Sequence, residues 1–184
     1  MTFHGHDVAG LLPENARTWR YGRYQRHAPR MFERASLLMC CSSELAERLV
    51  EVGAPEEKIR VHRLGVDLSR FTVAERPDRP PTVLMVGRLV EKKGVAYALE
   101  AFARVRARVP EARLRVVGDG PLRGRLEARA EALGVSEAVT FVGVLDAEGV
   151  RAEMAAADLL TAPSVTGARG DRESGVIVLK EAAA

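Results

Sequence analysis

The 184-residue chain has only two cysteines, Cys40 and Cys41, and they are neighbours. Adjacent residues on a strand face opposite ways, so this pair cannot staple a fold, and two buried, reduced thiols fit a reducing cytosol. Long hydrophobic runs are also missing: no stretch approaches the ~18 uncharged apolar residues that a membrane-spanning helix needs. Lysine is scarce, since among 28 basic residues only Lys58, Lys92, Lys93 and Lys180 are lysine. An excess of either charge is lacking as well. The 28 basic and 25 acidic residues leave a net charge of +3, too weak a bias to imply a nucleic-acid partner. The first residues, Met1 to Asp7, carry neither the basic start nor the apolar stretch of a secretory signal, so a cytoplasmic location is expected. What is present is 47% hydrophobic and 29% charged. That is enough to bury a core, and it excludes disorder, a collagen-like repeat and a transmembrane bundle.

The length allows one full domain or two small or incomplete ones. In the first third, periodicity predicts a helix, a strand, a helix and a strand. Pro13 fits the first turn of an Arg-rich helix that includes Arg17, and Pro29 marks a break. Ser36 to Cys41 reads as a buried strand, Ser42 or Ser43 as the cap of a helix reaching about Val52, and Lys58 to Leu64 as a short strand. The stretch Asp67 to Pro81 is polar, with Pro77, Pro80 and Pro81 close together, and reads as an interdomain linker. Beyond it strands and helices alternate. Strands are predicted at Thr82 to Val86, Leu114 to Val117, Val139 to Val142 and Leu159 to Ala162, with helices at Val95 to Val109, Leu122 to Leu133, Glu148 to Ala156 and from Val176 onward. This interval gives a parallel sheet with helices on its faces, and the first three of these strands end at Gly87, Gly118 and Gly143. Open α/β sheets bind ligands at such strand ends. Both ends of the chain read as cut, because no strand precedes Thr2-Phe3-His4-Gly5 and the last residues lie within a helix.

Two constellations could carry chemistry. Gly87-Arg88-Leu89-Val90-Glu91-Lys92-Lys93-Gly94 lies between a strand and a helix, where a glycine admits a ligand to the backbone and fixed cations suit a diphosphate. Taken alone, it reads first as a loop with a solvated charge run. Glu173 and Glu181 stand eight residues apart across a loop-to-helix junction, so they would reach different parts of one extended ligand, and carboxylates are good acceptors for sugar hydroxyls.

In order along the chain, Gly87 to Gly94 (GRLVEKKG), Val116 to Pro121 (VVGDGP), Phe141-Val142-Gly143 and the E-x7-E spacing of Glu173 and Glu181 resemble the donor half of a retaining, GT-B fold glycosyltransferase of family 4. Thr2 to Asp7 resembles the histidine loop of the acceptor domain, and Cys41 to Glu44, Pro55 to Val61 and Gly65 to Phe71 match the segments leading into the linker. After Glu173, Ser174-Gly175-Val176 departs from the common Gly-Phe-Gly pattern; together with the preceding Gly170-Asp171-Arg172, it resembles more closely bacterial exopolysaccharide transferases of the colanic acid type.

The resemblance implies an α/β fold of GT-B type, with two Rossmann-like domains of parallel sheet, both incomplete in this chain. Residues 1–66 would belong to the acceptor-side domain, 67–81 to the linker and 82–184 to a truncated donor-binding domain. It further implies that Arg88 and Lys93 hold the donor diphosphate and stabilise charge on the leaving nucleotide, that Glu181 binds the ribose, and that Glu173 contacts the transferred sugar. Backbone at Ser174, Gly175 and Val176 would face sugar and phosphate, Val142, Gly143 and Val144 would lie beside the nucleobase, and Gly87 and Gly118 would line the donor site. His4 would stand near the transferred sugar and the acceptor. No metal, cofactor or protein nucleophile is implied. The implied activity is sugar transfer from a nucleotide diphosphate donor to a saccharide or lipid-linked acceptor in cell-surface polysaccharide synthesis, with the isolated 184-residue piece expected to be inactive. A non-catalytic nucleotide-sugar binding module and a GT-B sugar-phosphate synthase stay open as alternatives.

Other patterns lead elsewhere. Gly118, Gly120 and Gly124 miss the dinucleotide fingerprint because the third glycine is one position late and no acidic ribose partner follows. Arg169-Gly170-Asp171 is a chance tripeptide in a chain expected in the cytosol. His4, His6 and Asp7 have no distant partner to complete a metal site. Arg17, Arg20, Arg23, Arg26, Arg30 and Arg34 recur every three or four residues with Trp19, Tyr21, Tyr24 and Phe32 interleaved. On a helix this makes a basic stripe with aromatic flanks, suited to the anionic inner face of a membrane or to plain solvent.

Overall fold

The structure, a computed structural model, describes residues 1–4, 8, 10–11, 19–71, 79–168, 172–173 and 175–184. It divides into two compact units: Met1–Gly65 with Thr166–Val176, and Val66–Val165 with Ile177–Ala184.

Among the described residues the first unit holds three parallel strands, β1 (Thr2–Phe3), β2 (Leu38–Cys40) and β3 (Ile59–Val61), in the order β1-β2-β3. Phe3 pairs with Cys40, and Cys40 in turn with Val61. The opening residues are therefore a strand that periodicity does not predict; two residues are too few to show a period, and pairing with β2 makes the element. Helix α1 (Trp19–Arg34) connects β1 to β2, and α2 (Ser43–Glu51) connects β2 to β3. Ser42 caps α2 by accepting a hydrogen bond from Leu45 N at 3.2 Å, satisfying one of the amides that a helix start leaves open.

Helix α1 runs through Pro29 without a break. A proline inside a helix removes one hydrogen bond and costs about 3 kcal/mol, but Ala28 and Phe32 on either side of it are buried and hold the helix to the core. The Phe32 ring packs on Phe3 with centroids 6.5 Å apart, and Tyr24 also lies against the core. Those two aromatics thus face inward and do not flank the basic stripe. Arg23, Arg26, Arg30 and Arg34 are exposed and fall within an arc of roughly 80° at the helical step. Pro13 and Arg17, and the side chains of Trp19 and Arg20, lie outside the described residues.

The second unit is built on β4 (Thr82–Val86), β5 (Arg113–Val117), β6 (Val139–Gly143) and β7 (Leu159–Leu160), all parallel, in the order β6-β5-β4-β7. Helices α3 (Val95–Arg106), α4 (Arg123–Ala132) and α5 (Ala147–Ala155) alternate with the strands, and α6 (Ile177–Ala182) follows β7. The apolar run Val83-Leu84-Met85 and the pair Val116-Val117 suit strands enclosed by neighbours. Helix α3 buries Val95, Ala98, Leu99 and Phe102, the i, i+3, i+4, i+7 face, against them. The chain moves from β4 to β5 to β6 in one direction, then returns to place β7 on the other side of β4. Such a reversal opens a crevice at the carboxyl ends of the strands it separates, here β4 and β7.

Two polar ties hold the sheet's periphery. Asp158, just before β7, accepts from Thr82 N at 2.8 Å and pairs with Arg79 at 3.4 Å. Arg115 of β5 donates twice to Glu153 of α5, from Nε at 2.6 Å and Nη2 at 2.5 Å. This pairing holds the Glu153 carboxyl below its usual range, first through the hydrogen bond from Arg115 and then through its charge, against desolvation.

Candidate functional site

The loop after β4 begins at Gly87, whose N–H donates to Val117 O at 2.9 Å. Lys93 lies over this glycine: a Cβ built on Gly87 would stand 3.2 Å from Lys93 Cε and 3.3 Å from Cδ. The short 3-10 turn Glu91–Lys93 ends at Gly94, which adopts φ 67° and starts α3. A Cβ there would collide with Pro163 O, and Val165 N donates to Lys92 O at 2.9 Å. The segment after β7 therefore braces the lysine-bearing turn from the β7 side of the crevice. Arg88 is exposed at the same edge.

The next two strand ends are stitched to this loop. Leu89 N donates to Asp119 O at 2.9 Å, Leu122 N to Leu89 O at 3.1 Å, and Gly118 N to Gly143 O at 2.7 Å. The glycines of the Val116 to Pro121 segment have a packing reason. A Cβ on Gly118 would fall on Gly87 O, and one on Gly120 would stand 2.6 Å from Leu89 O. At the end of β6, Val142 and Gly143 are half-buried and Val144 is 77% exposed.

Gly87, Arg88, Lys93, Gly118 and Gly143 thus share the carboxyl edge of one sheet. The edge offers two cations on one short loop, which can hold a dianionic group without a covalent step. Glu181 is carried by α6 of the same unit and is half-buried. A cavity of about 640 Å³ between α3 and α4 borders on Glu91 and Gly94 but not on Arg88 or Lys93, and two of its charged lining residues, Arg129 and Glu100, pair at 2.7 Å.

The remaining predicted residues belong to the first unit. His4 follows β1 directly and is exposed. Glu173 is half-buried and non-helical; its neighbour Arg172 pairs with Glu44 at 3.2 Å, and Gly175 approaches Cys41 Sγ. Val176 closes this segment, and Ser174 lies outside the described residues. The Cys40 thiol is pushed up by burial and then by Cys41, which makes it a poor nucleophile at neutral pH. Among the described residues no group of three or more His, Cys, Asp or Glu side chains could hold a metal ion. Asp119, Arg123 and Pro163 have no role in the pattern read from the sequence: Asp119 sits inside the Val116 to Pro121 segment, whereas Pro163 carries no local signal.

Residues 69–184 match the family model described as glycosyl transferases group 1, and residues 1–70 match that described as Glycosyltransferase Family 4. The chain belongs to the group 1 glycosyl transferases, and its α/β fold is that of GT-B enzymes. It is 35% identical to the colanic acid biosynthesis glycosyltransferase WcaL of Escherichia coli K12 over 99% of its own length and 44% of that relative. It is 30% identical to the amylovoran biosynthesis glycosyltransferase AmsK of Erwinia amylovora, again over 99% of this chain and 44% of the relative. Among solved structures, WaaG, a glycosyltransferase involved in lipopolysaccharide biosynthesis, superposes with a TM-score of 0.70 at 28% identity, covering 91% of this chain and 47% of that one. HepE of Anabaena, solved with UDP and glucose, gives a TM-score of 0.76 at 23% identity over 98% of this chain and 49% of that one. The chain therefore spans under half the length of these relatives.

Proposed function

We propose that this chain supplies the donor-diphosphate site and part of the acceptor side of a retaining glycosyltransferase. The enzyme moves a sugar from a nucleotide diphosphate donor to a saccharide or lipid-linked acceptor in cell-surface polysaccharide synthesis. The observation that carries this reading is the placement of Lys93 over Gly87, beside Arg88, at the carboxyl end of the strand that borders the crevice. A diphosphate there meets two cations. As the bond to the sugar breaks, negative charge grows on the departing phosphate, and fixed cations stabilise that state more than the ground state. This gives the leaving-group assistance that a metal provides in other transferases. Attack on the face that the diphosphate leaves gives retention without a protein nucleophile. The kinship with named polysaccharide transferases supports the class of product.

In this reading Glu181 accepts from the ribose, Glu173 and the backbone at Ser174, Gly175 and Val176 serve the transferred sugar, and His4 serves the sugar and acceptor. Val142, Gly143 and Val144, with Gly118, border the base. The test is thermal stabilisation of the 184-residue chain by UDP and GDP. Stabilisation at saturating nucleotide, on the order of 3 kcal/mol at a hundredfold excess over Kd, is expected for the parent chain and lost in Arg88→Ala and Lys93→Ala. Equal stabilisation of all three proteins overturns the assignment.

We also propose a cytoplasmic enzyme that rests on the inner face of an anionic membrane through α1. Arg23, Arg26, Arg30 and Arg34 support it, exposed on one side while Ala28 and Phe32 hold the other to the core. Reversing Arg23, Arg26 and Arg30 to Glu should abolish sedimentation with phosphatidylglycerol vesicles; unchanged sedimentation refutes the contact.

A further inference from the structure

Arg123 opens α4 and reaches back over the end of β6. Its Nη2 donates to Phe141 O at 3.2 Å, its Nε donates to Glu127 Oε1 at 2.9 Å, and its Nη1 stands 3.6 Å from Asp119 Oδ2. A Cβ built on Gly143 would lie 3.9 Å from the same Nη1. The guanidinium is thus oriented by three separate elements: the β5–α4 loop, the next turn of its own helix and the β6 backbone. Of its five N–H groups, these hydrogen bonds use one on Nε and one on Nη2.

The local charge says what this group can meet. One cation stands against two carboxylates, Asp119 and Glu127, so the cluster does not favour an added anion. The phosphate belongs one loop away, with Arg88 and Lys93. What the cluster offers is oriented N–H donors beside a glycine, a site for a neutral, planar acceptor. Its distance from the phosphate loop is also suitable. Strands β4 and β6 are two sheet spacings apart, roughly 10 Å, about the span from a diphosphate to its base.

We propose that Arg123 is a specificity-determining residue of the donor site, whose Nη donors read a ring carbonyl of the nucleobase at the Gly143 edge. Uracil and guanine present such an oxygen, whereas adenine presents an amino group in the corresponding place. A fixed donor rejects that group because two donors then face each other. The proposal rests on the donor-site reading above and adds the chemical class of the base.

The test measures binding of UDP, GDP, ADP and inorganic pyrophosphate to the 184-residue chain by calorimetry, with Arg123→Ala and Arg123→Lys beside it. Lysine keeps the charge next to Asp119 and Glu127 but loses the planar fork, so it guards against a folding defect in the alanine variant. At least one of UDP and GDP is expected to bind about tenfold to a hundredfold tighter than ADP; which of the two wins identifies the base. Both variants should bring that ratio close to one and leave pyrophosphate binding unchanged. If the ratio survives in both variants, or pyrophosphate binding falls as much as UDP or GDP binding, Arg123 merely braces the loop and the proposal is overturned. If the parent chain binds all three nucleotides and pyrophosphate alike, base reading fails while the phosphate site stands. If it binds none of them, both fail together.

Discussion

The aliphatic stem of Lys93 lies across Gly87, so that one cation of the loop after β4 packs against a bare α-carbon. The lysine needs the glycine's emptiness, and the glycine lies where β4 ends and the ligand edge begins.

Replacing Gly87 with alanine should move Lys93, because a methyl group 3.2 Å from Cε leaves less than ordinary contact distance. The lysine yields cheaply, but Gly87 holds φ 157°, which other residues rarely adopt, so the fold should also lose about 1 to 3 kcal/mol. Nucleotide diphosphate affinity should fall about tenfold or more. Calorimetry beside a denaturation curve separates the two effects.

Gly94→Ala should act chiefly on the fold. Its φ of 67° disfavours any other residue, and the new methyl meets the Pro163 carbonyl, a backbone atom that cannot swing aside. A loss of about 2 to 4 kcal/mol is expected, read as a lower urea midpoint for the unit that contains α3.

Asp158 holds the start of β4 to the start of β7 by accepting from Thr82 N. Asp158→Ala leaves that amide without its partner and should destabilise the second unit by about 1 to 3 kcal/mol. Asp158→Asn keeps an acceptor and should recover most of the loss in the same unfolding assay.

Acid should weaken the tie between β5 and α5. The Glu153 carboxyl is held low by the Arg115 hydrogen bond, so its contribution is complete above the unfolded glutamate pKa of about 4.3 and is lost as pH falls through the lower, folded value. With Arg115 partly exposed, solvent screening limits the effect to about 1 kcal/mol. Stability measured from pH 6 to pH 3 should fall less steeply in Glu153→Gln than in the parent chain.

Pro29→Ala should stabilise the first unit, by up to about 3 kcal/mol, since it restores a backbone donor inside α1 at an exposed position. A higher thermal midpoint with unchanged helix content is the expected result. A lower one would show that the proline is needed where it stands.

Much of the second unit was legible because its signals are local. A run such as Val83 to Val86 closed by Gly87, followed by cations and then by Val95, Leu99 and Phe102 at helical spacing, needs no distant partner to be recognised. The same holds for Ser42, whose cap forms within three residues. β1 was not legible, because two residues become a strand only when Cys40 lies beside Phe3. The inward turn of Phe32 was hidden for the same reason: an aromatic next to arginines reads as part of their surface until Phe3 packs on it.

The glycines of the Val116 to Pro121 segment mark the boundary between the two kinds of information. Their spacing announces a turn at a strand end, and residue order alone carries that much, along with the alternation of strand and helix and the cationic loop. That Gly118 must admit the Gly87 carbonyl, that Gly94 must admit Pro163, and that Arg123 is aimed at Gly143 are relations between residues brought together only when the sheet forms. Local patterns follow from backbone sterics and side-chain periodicity within a few residues. Close approach between loops depends on strand order and register, which no short stretch of sequence contains.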